Sequence, residues 1–174
     1  MAEKGKTVFL DPGRYAFTRV LEANWGAIYR EYLGVKDALM DWYEKELYGA
    51  GWKVFGIFDF PTGAALADGV RRCPLTAELI KMHIPGHGAA GFSVLLPATR
   101  INPHLGYQGT FLRCHLGLRV PSGDCGLQVG DESRRWAEGK ALVFDDRVRH
   151  SAWNLTNEER VVLLVDFVPG AKLS

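Results

Sequence analysis

Cysteine is scarce and odd in number: Cys73, Cys114 and Cys125 are the only three in 174 residues, and no two of them form a C-x-x-C. That excludes a disulfide framework, fits a reducing compartment and makes the three read as small buried hydrophobes. Long apolar runs are missing as well. No segment has the length of a membrane span, and the opening MAEKGKTVFLDPG lacks the apolar stretch of a signal peptide. A surplus of one charge is also missing: 21 Lys and Arg stand against 20 Asp and Glu, with no basic cluster interleaved with aromatics. A nucleic-acid partner therefore has little support. The expectation is a cytoplasmic domain without a nucleic-acid or membrane partner. At 174 residues the chain has room for one proper core, hence a single domain over 1–174. Its oligomeric state is not readable.

What is present changes character near Gly51. Before it, Val20, Leu21, Trp25, Ile28, Tyr29, Tyr32 and Leu33 recur at helical spacing, and Leu39, Met40, Tyr43, Leu47 and Tyr48 do so again. Gly34 reads as a break, and Gly49 and Gly51 as the stop. The spacing predicts a helical preface over 1–51. After it the chain turns to short strands: WKVFGIFDF, GFSVLLP, TFLRCHLGLRV, GLQV, SRRW, KALVFDD, HSAWNL and ERVVLLVDFVP. They are separated by turn signals such as Pro-Ser-Gly-Asp, with CPLTAELIKM as a short helix opened by Pro74. Strands at this spacing predict a mainly β fold, a jelly-roll core over 52–170 with helices on one outer face.

None of the five histidines (His83, His87, His104, His115, His150) begins an H-x-D or H-x-E, so no two-histidine-one-carboxylate iron site can be read from local spacing. Strand parity is more informative. In TFLRCHLGL, Leu112, Cys114, Leu116 and Leu118 share one face, while Phe111, Arg113 and His115 share the other. ERVVLLVDF is apolar on both faces and therefore central, with Arg160 at its start and no acid nearby on the same face. A buried guanidinium needs an anion, and a ligand carboxylate is a natural partner. Ten residues separate His150 from Arg160, so one hairpin can bring both to one end of the barrel. His83 and His87, in a Gly/Pro-rich loop, read as exposed or capping. Trp136 and Trp153 read as core anchors, and Asp145 and Asp146 as turn residues or partners that orient a ligating histidine.

The segments CPLTAELI, PHLG, LRCHLGLRVP, VGDESRRWAEGKALVFDD and His150-SAWN followed by RVVLLVD agree in order and spacing with one known family. From about Trp52 to Pro169 the chain resembles the aspartyl/asparaginyl β-hydroxylases, Fe(II)- and 2-oxoglutarate-dependent dioxygenases with a double-stranded β-helix (jelly-roll, cupin-like) core. The resemblance implies that His104 and His150 bind Fe(II). It also implies that glycine at position 106 replaces the carboxylate most relatives use, and that Ser93, Arg113, His115 and Arg160 contact 2-oxoglutarate. Arg160 and Ser93 would hold its distal carboxylate, and Arg113 and His115 would lie near the carboxylate that chelates iron. With O₂, such an enzyme hydroxylates a C–H bond and releases succinate and CO₂.

For the substrate, Phe111 stands two residues before Arg113, where members acting on acidic residues are basic. This points to a small molecule, such as an amino acid or a biosynthetic intermediate, with Phe111, Trp153 and Gly106 as pocket residues. Hydroxylation of aspartyl or asparaginyl residues in a protein is the alternative substrate. Halogenation, desaturation or ring formation at the same iron site are alternative outcomes. A non-catalytic jelly-roll binding module, or a cupin-like metal enzyme working without 2-oxoglutarate, are alternatives of other classes.

Overall fold

The computed structural model describes residues 7–172, so residues 1–6 of the expected preface and 173–174 of the expected domain lie outside the described residues. Two antiparallel sheets carry the fold. The larger runs β1 (Phe9–Leu10), β9 (Ala141–Phe144), β6 (Leu112–Arg119), β11 (Arg160–Phe167), β4 (Ala90–Leu95), β3 (Trp52–Phe58), β2 (Met40–Asp41). The smaller runs β5 (Thr99–His104), β10 (His150–Asn154), β7 (Cys125–Val129), β8 (Glu132–Arg134). Face to face they make the double-stranded β-helix.

Period-2 alternation sorts the central strands into two cores. On β11, Val161, Leu163, Val165 and Phe167 join Leu112, Cys114, Leu116 and Leu118 of β6 on the outer face of the large sheet. Leu21 of α1 (Ala16–Ala23), Ile28 and Tyr32 of α2 (Trp25–Val35), and Ala77 and Ile80 of α4 (Pro74–His83) cover that face. Leu116 is completely buried there, and truncation to alanine costs about 2–5 kcal/mol. The other face of the large sheet meets the small one through Phe9, Leu95, Ile101, Leu127, Val129, Phe144 and Val162. Arg113 and His115 of β6 and Arg160 of β11 share the parity of that inner face. The three cysteines are free and buried.

Three local expectations are corrected. Leu39–Tyr48 is not a helix: Met40 and Asp41 pair with Val54 and Lys53 of β3, and only Lys45–Leu47 makes a 3₁₀ turn. The apolar spacing there serves aromatic wedging, since Trp42 stacks on Trp52 and Tyr48 meets Trp52 edge-on. The first helical segment breaks at Asn24, whose side-chain amide donates to Val20 O at 2.8 Å; Gly34 sits inside the last turn of α2. Helix α3 (Ala67–Arg72) and strands β1 and β5 had no expectation in the sequence reading. No helix among the described residues is long and apolar enough to cross a membrane.

Candidate active site

Strand register brings the two candidate metal ligands together. His104, at the end of β5, pairs directly with His150, at the start of β10, across a register shift. Between the pairs His150–His104 and Ala152–Ile101, β5 spends one residue more than β10. Pro103, which has no N–H to give, sits in this bulge on an edge strand. The two imidazole rings lie 4.3 Å apart between centroids.

Their tautomers follow from their backbone partners. His104 Nδ1 contacts Asn102 O at 2.7 Å, and His150 Nδ1 contacts Val148 O at 2.8 Å. A carbonyl only accepts, so in the neutral form of each ring the proton sits on Nδ1 and the lone pair on Nε2, the form a divalent metal needs. Burial, and then the neighbouring His104, push His150 down to about 3, so its ring is neutral at physiological pH. Among the described residues no cluster of three His, Cys, Asp or Glu side chains is arranged to hold a metal. The candidate donors are the two imidazoles alone.

Gly106 explains why no acid stands beside them. Its N–H donates to Asp146 O at 2.8 Å. A Cβ at this position would collide with Asp146 Oδ2 and lie 2.6 Å from Asp146 O. Asp146 itself is buried, its Oδ2 has no hydrogen-bond partner among the described residues, and burial pushes its carboxyl up to about 6 against the pull of Arg113. The space of a side chain at 106 thus holds the carboxyl group of another residue.

The inner face of the large sheet supplies a second group of polar atoms. Trp136 Nε1 donates to His115 Nδ1 at 3.1 Å. Burial, and then Arg160, Arg113 and His150, push the His115 pKa well down. The ring is therefore neutral, with its proton on Nε2, and that N–H is buried without a partner. Arg160 is 1 % exposed, and burial pushes it down to about 10. Its Nη2 reaches Ser93 O and Oγ at 3.3 Å, its Nε is buried and unpartnered, and its guanidinium lies 4.5 Å over the Trp136 ring. No carboxylate among the described residues pairs with it. Ser93 Oγ is held by Trp52 Nε1 at 3.1 Å. A buried guanidinium with no counter-charge and a buried imidazole N–H with no acceptor among the described residues are the two halves of a candidate anion site.

Arg113 has a different setting from the one expected. Its Nε and Nη2 bond Asp166 at 2.7 and 3.0 Å, and Nη2 lies 3.2 Å from Asp146. Both acids are buried, so the cation is already neutralised.

A cavity of about 430 Å³ runs from Ser93, Arg113 and His104 to the surface. Gly106 lines it. The other two expected pocket residues do not. Phe111 packs its ring edge over the Cα of Gly88, behind Tyr107. Trp153 alternates with the buried His150, Ala152 and Asn154 on β10, so it faces the outside of the small sheet, where its Nε1 donates to Asp124 at 2.6 Å. The resemblance implies no role for Trp42, Trp52, Phe60 and Tyr107, which form the cavity wall, or for Asp166, which holds Arg113. His87 packs against Phe58 at 4.3 Å, with Nδ1 on Gly88 O.

The family model for aspartyl/asparaginyl beta-hydroxylase matches residues 22–169. The chain belongs to this family. Among its members, an ornithine lipid ester-linked acyl 2-hydroxylase of Rhizobium tropici is 40% identical over 123 residues, 70% of this chain and 43% of that protein. The human aspartate beta-hydroxylase domain-containing protein 2 is 35% identical over 163 residues, covering 84% of this chain and 43% of the relative. The chain thus spans less than half the length of these relatives. Beyond the beta-hydroxylases, a Pseudomonas putida prolyl-4-hydroxylase superposes with a TM-score of 0.57 at 14% identity, over 84% of this chain and 86% of that one. At that identity the likeness shows the fold alone. The family match includes both paired histidines, Ser93, His115 and Arg160.

Proposed function

We propose that this beta-hydroxylase is an Fe(II)- and 2-oxoglutarate-dependent dioxygenase that hydroxylates a C–H bond of a small molecule. One observation carries the reading. Two imidazoles with free Nε2 atoms face each other across β5 and β10, and the same inter-sheet space holds a buried arginine and a buried histidine N–H that lack an acceptor.

The residues fit both groups. His104 and His150 would hold Fe(II) through Nε2, neutral nitrogen donors being suited to it. Arg160, with Ser93 beside it, would bind a carboxylate of the oxo-acid, and His115 Nε2–H would donate to an oxygen of the same molecule. When bound, iron with 2-oxoglutarate supplies the O₂ activation that no side chain can perform. In the overall reaction one oxygen atom of O₂ enters the new C–OH and the other enters succinate. 2-Oxoglutarate loses CO₂, so the oxo-acid and the C–H bond each give up two electrons. The chain's own part is to bind, orient and keep neutral. Trp136 fixes the proton of His115 on Nε2; Trp52 fixes Ser93; the Asn102 and Val148 carbonyls fix the two ligating rings. Arg113, held by Asp166 and Asp146, contributes its remaining N–H edge and no free charge. The names of the relatives include an acyl chain and an aspartyl residue as targets, so family membership supports the reaction more than the substrate. The localisation we propose is cytoplasmic.

The test is anaerobic titration with 2-oxoglutarate, with and without Mn(II) as a redox-silent substitute, followed by succinate release with Fe(II) and O₂. Metal-dependent binding that disappears in His104→Ala and His150→Ala supports the reading. Metal-independent binding, or none, refutes it.

A further inference from the structure

The cavity that opens beside His104 is apolar along its walls and acidic where it carries unpaired charge. Trp52 stacks on Trp42 with centroids 5.2 Å apart, Trp42 meets Phe60 edge-on at 5.8 Å, and Phe60 meets Tyr107 at 6.1 Å. These rings make a continuous aromatic rail from the Ser93 end of the cavity to the surface. Opposite one another on β3 and β4, Gly56 and Gly91 put no side chain into the space. At the mouth, Tyr43, Leu66, Leu105 and Tyr107 all line the cavity and all remain exposed, Leu105 at 59%. Four large apolar side chains left in water around one opening mark a surface built to be covered by an apolar ligand.

Charge narrows the ligand further. Among the described residues Arg113 is the only Lys or Arg on the cavity wall, and Asp166 and Asp146 already neutralise it. Glu44 and Asp59 also line the cavity. Glu44 accepts from Trp42 Nε1 at 3.0 Å and Asp59 from Thr62 Oγ1 at 3.4 Å, and neither forms an ion pair among the described residues. A ligand bringing a carboxylate to this wall would meet two uncompensated acids and no free cation. A ligand bringing an ammonium group would find two partners.

We infer that the substrate of this site is an amphipathic molecule with an apolar chain and a cationic head. The chain lies along the Trp52–Trp42–Phe60–Tyr107 rail towards His104, and the head meets Glu44 and Asp59. The inference rests on the hydroxylase reading for what happens to the chain, and on the cavity alone for what binds.

The experiment uses the full chain and two probe series, the n-alkylamines from hexylamine to decylamine and the n-alkanoates of matching length, below their aggregation concentrations. Binding is read from the change in tryptophan fluorescence that is lost in Trp42→Phe, in an Arg160→Met background so that the buried guanidinium cannot capture the alkanoates, without metal or 2-oxoglutarate. Each added methylene of the amines should tighten binding about fourfold, and each alkanoate should bind at least tenfold more weakly than its matching amine. Leu105→Asn, at an exposed position, should weaken binding of every amine without adding a charge. Glu44→Gln with Asp59→Asn should abolish the preference for amines while keeping the chain-length dependence. A flat chain-length series, alkanoates binding as well as amines, or amine affinity untouched by Leu105→Asn would each overturn the inference. Chain-dependent binding together with no metal-dependent 2-oxoglutarate binding would instead refute the iron reading and leave this one standing.

Discussion

Arg113 and Arg160 point into the same inter-sheet space from neighbouring strands, but two carboxylates hold the first and none holds the second. Opposite consequences follow from removing each. Arg113→Met leaves Asp166 and Asp146 buried without their cation and should cost about 3–5 kcal/mol of stability. Arg160→Met removes a charge that the protein alone does not neutralise, so stability should stay within about 1 kcal/mol of wild type or rise. The same Arg160→Met should weaken 2-oxoglutarate binding roughly 100-fold or more, the loss of a buried charge-assisted pair. Thermal melts and Mn(II)-dependent titrations check both halves. A strongly destabilised Arg160→Met would show that the arginine serves the fold.

Gly106→Ala tests the contact with Asp146. The new methyl would press on Asp146 Oδ2 and O, an overpacking that costs about 1–3 kcal/mol. Only the side-chain share can be relieved, so Asp146→Ala should recover part of the loss, with a coupling near 1 kcal/mol in a double-mutant cycle. Additive losses would mean that the alanine displaces the loop instead.

Much of this site was legible in the sequence because strand parity is local. Alternation along TFLRCHLGL is enough to set Arg113 and His115 on one face, as in the structure; that Arg160 of ERVVLLVDF shares that face follows only from the pairing of β6 with β11. What parity cannot reveal is register. The one-residue bulge that sets His104 opposite His150 involves two strands forty-six positions apart in the chain, and β5 itself, TRINPH, has too few strand-forming residues to announce a strand. The same limit hid the partner of Arg113: Asp166 is 53 residues away and meets it only because β6 and β11 are neighbours. The helix expected over Leu39–Tyr48 failed for another reason. Its apolar residues do recur at helical spacing, but they scatter in the fold: Leu39 packs on the helix-covered core, Met40 and Tyr43 are exposed, and Tyr48 meets the ring of Trp52. Trp153 lies outside the cavity because it alternates with His150 along β10.

Trp136→Phe probes whether the proton of His115 has to be on Nε2. Losing the indole donor frees the ring to carry its proton on Nδ1, and the orphan Nε2–H no longer awaits an acceptor. The KM for 2-oxoglutarate should rise about 10-fold, in line with one charge-assisted hydrogen bond, with kcat nearly unchanged. Steady-state succinate release at varied 2-oxoglutarate separates the two. A fall in kcat alone would contradict this role for Trp136.

Acid should destabilise the metal-free protein more steeply than its surface charge accounts for. His150 is pushed from 6.5 to about 3, and His115 well below 6.5. As pH falls below 6.5, both therefore gain protons in the unfolded chain before the folded one, and stability is lost. Asp146, raised from 3.8 to about 6, acts the other way: folded protein takes up its proton first between those values, which offsets part of the loss. Two histidine protons favour unfolding against one aspartate proton favouring the fold, a net slope of about 1.4 kcal/mol per pH unit between roughly pH 6 and 4. Urea unfolding across that window measures it. His115→Phe should flatten the slope by about one proton, and Asp146→Asn should steepen it by about one. A slope unchanged in both variants would show that these buried groups do not titrate as their surroundings require.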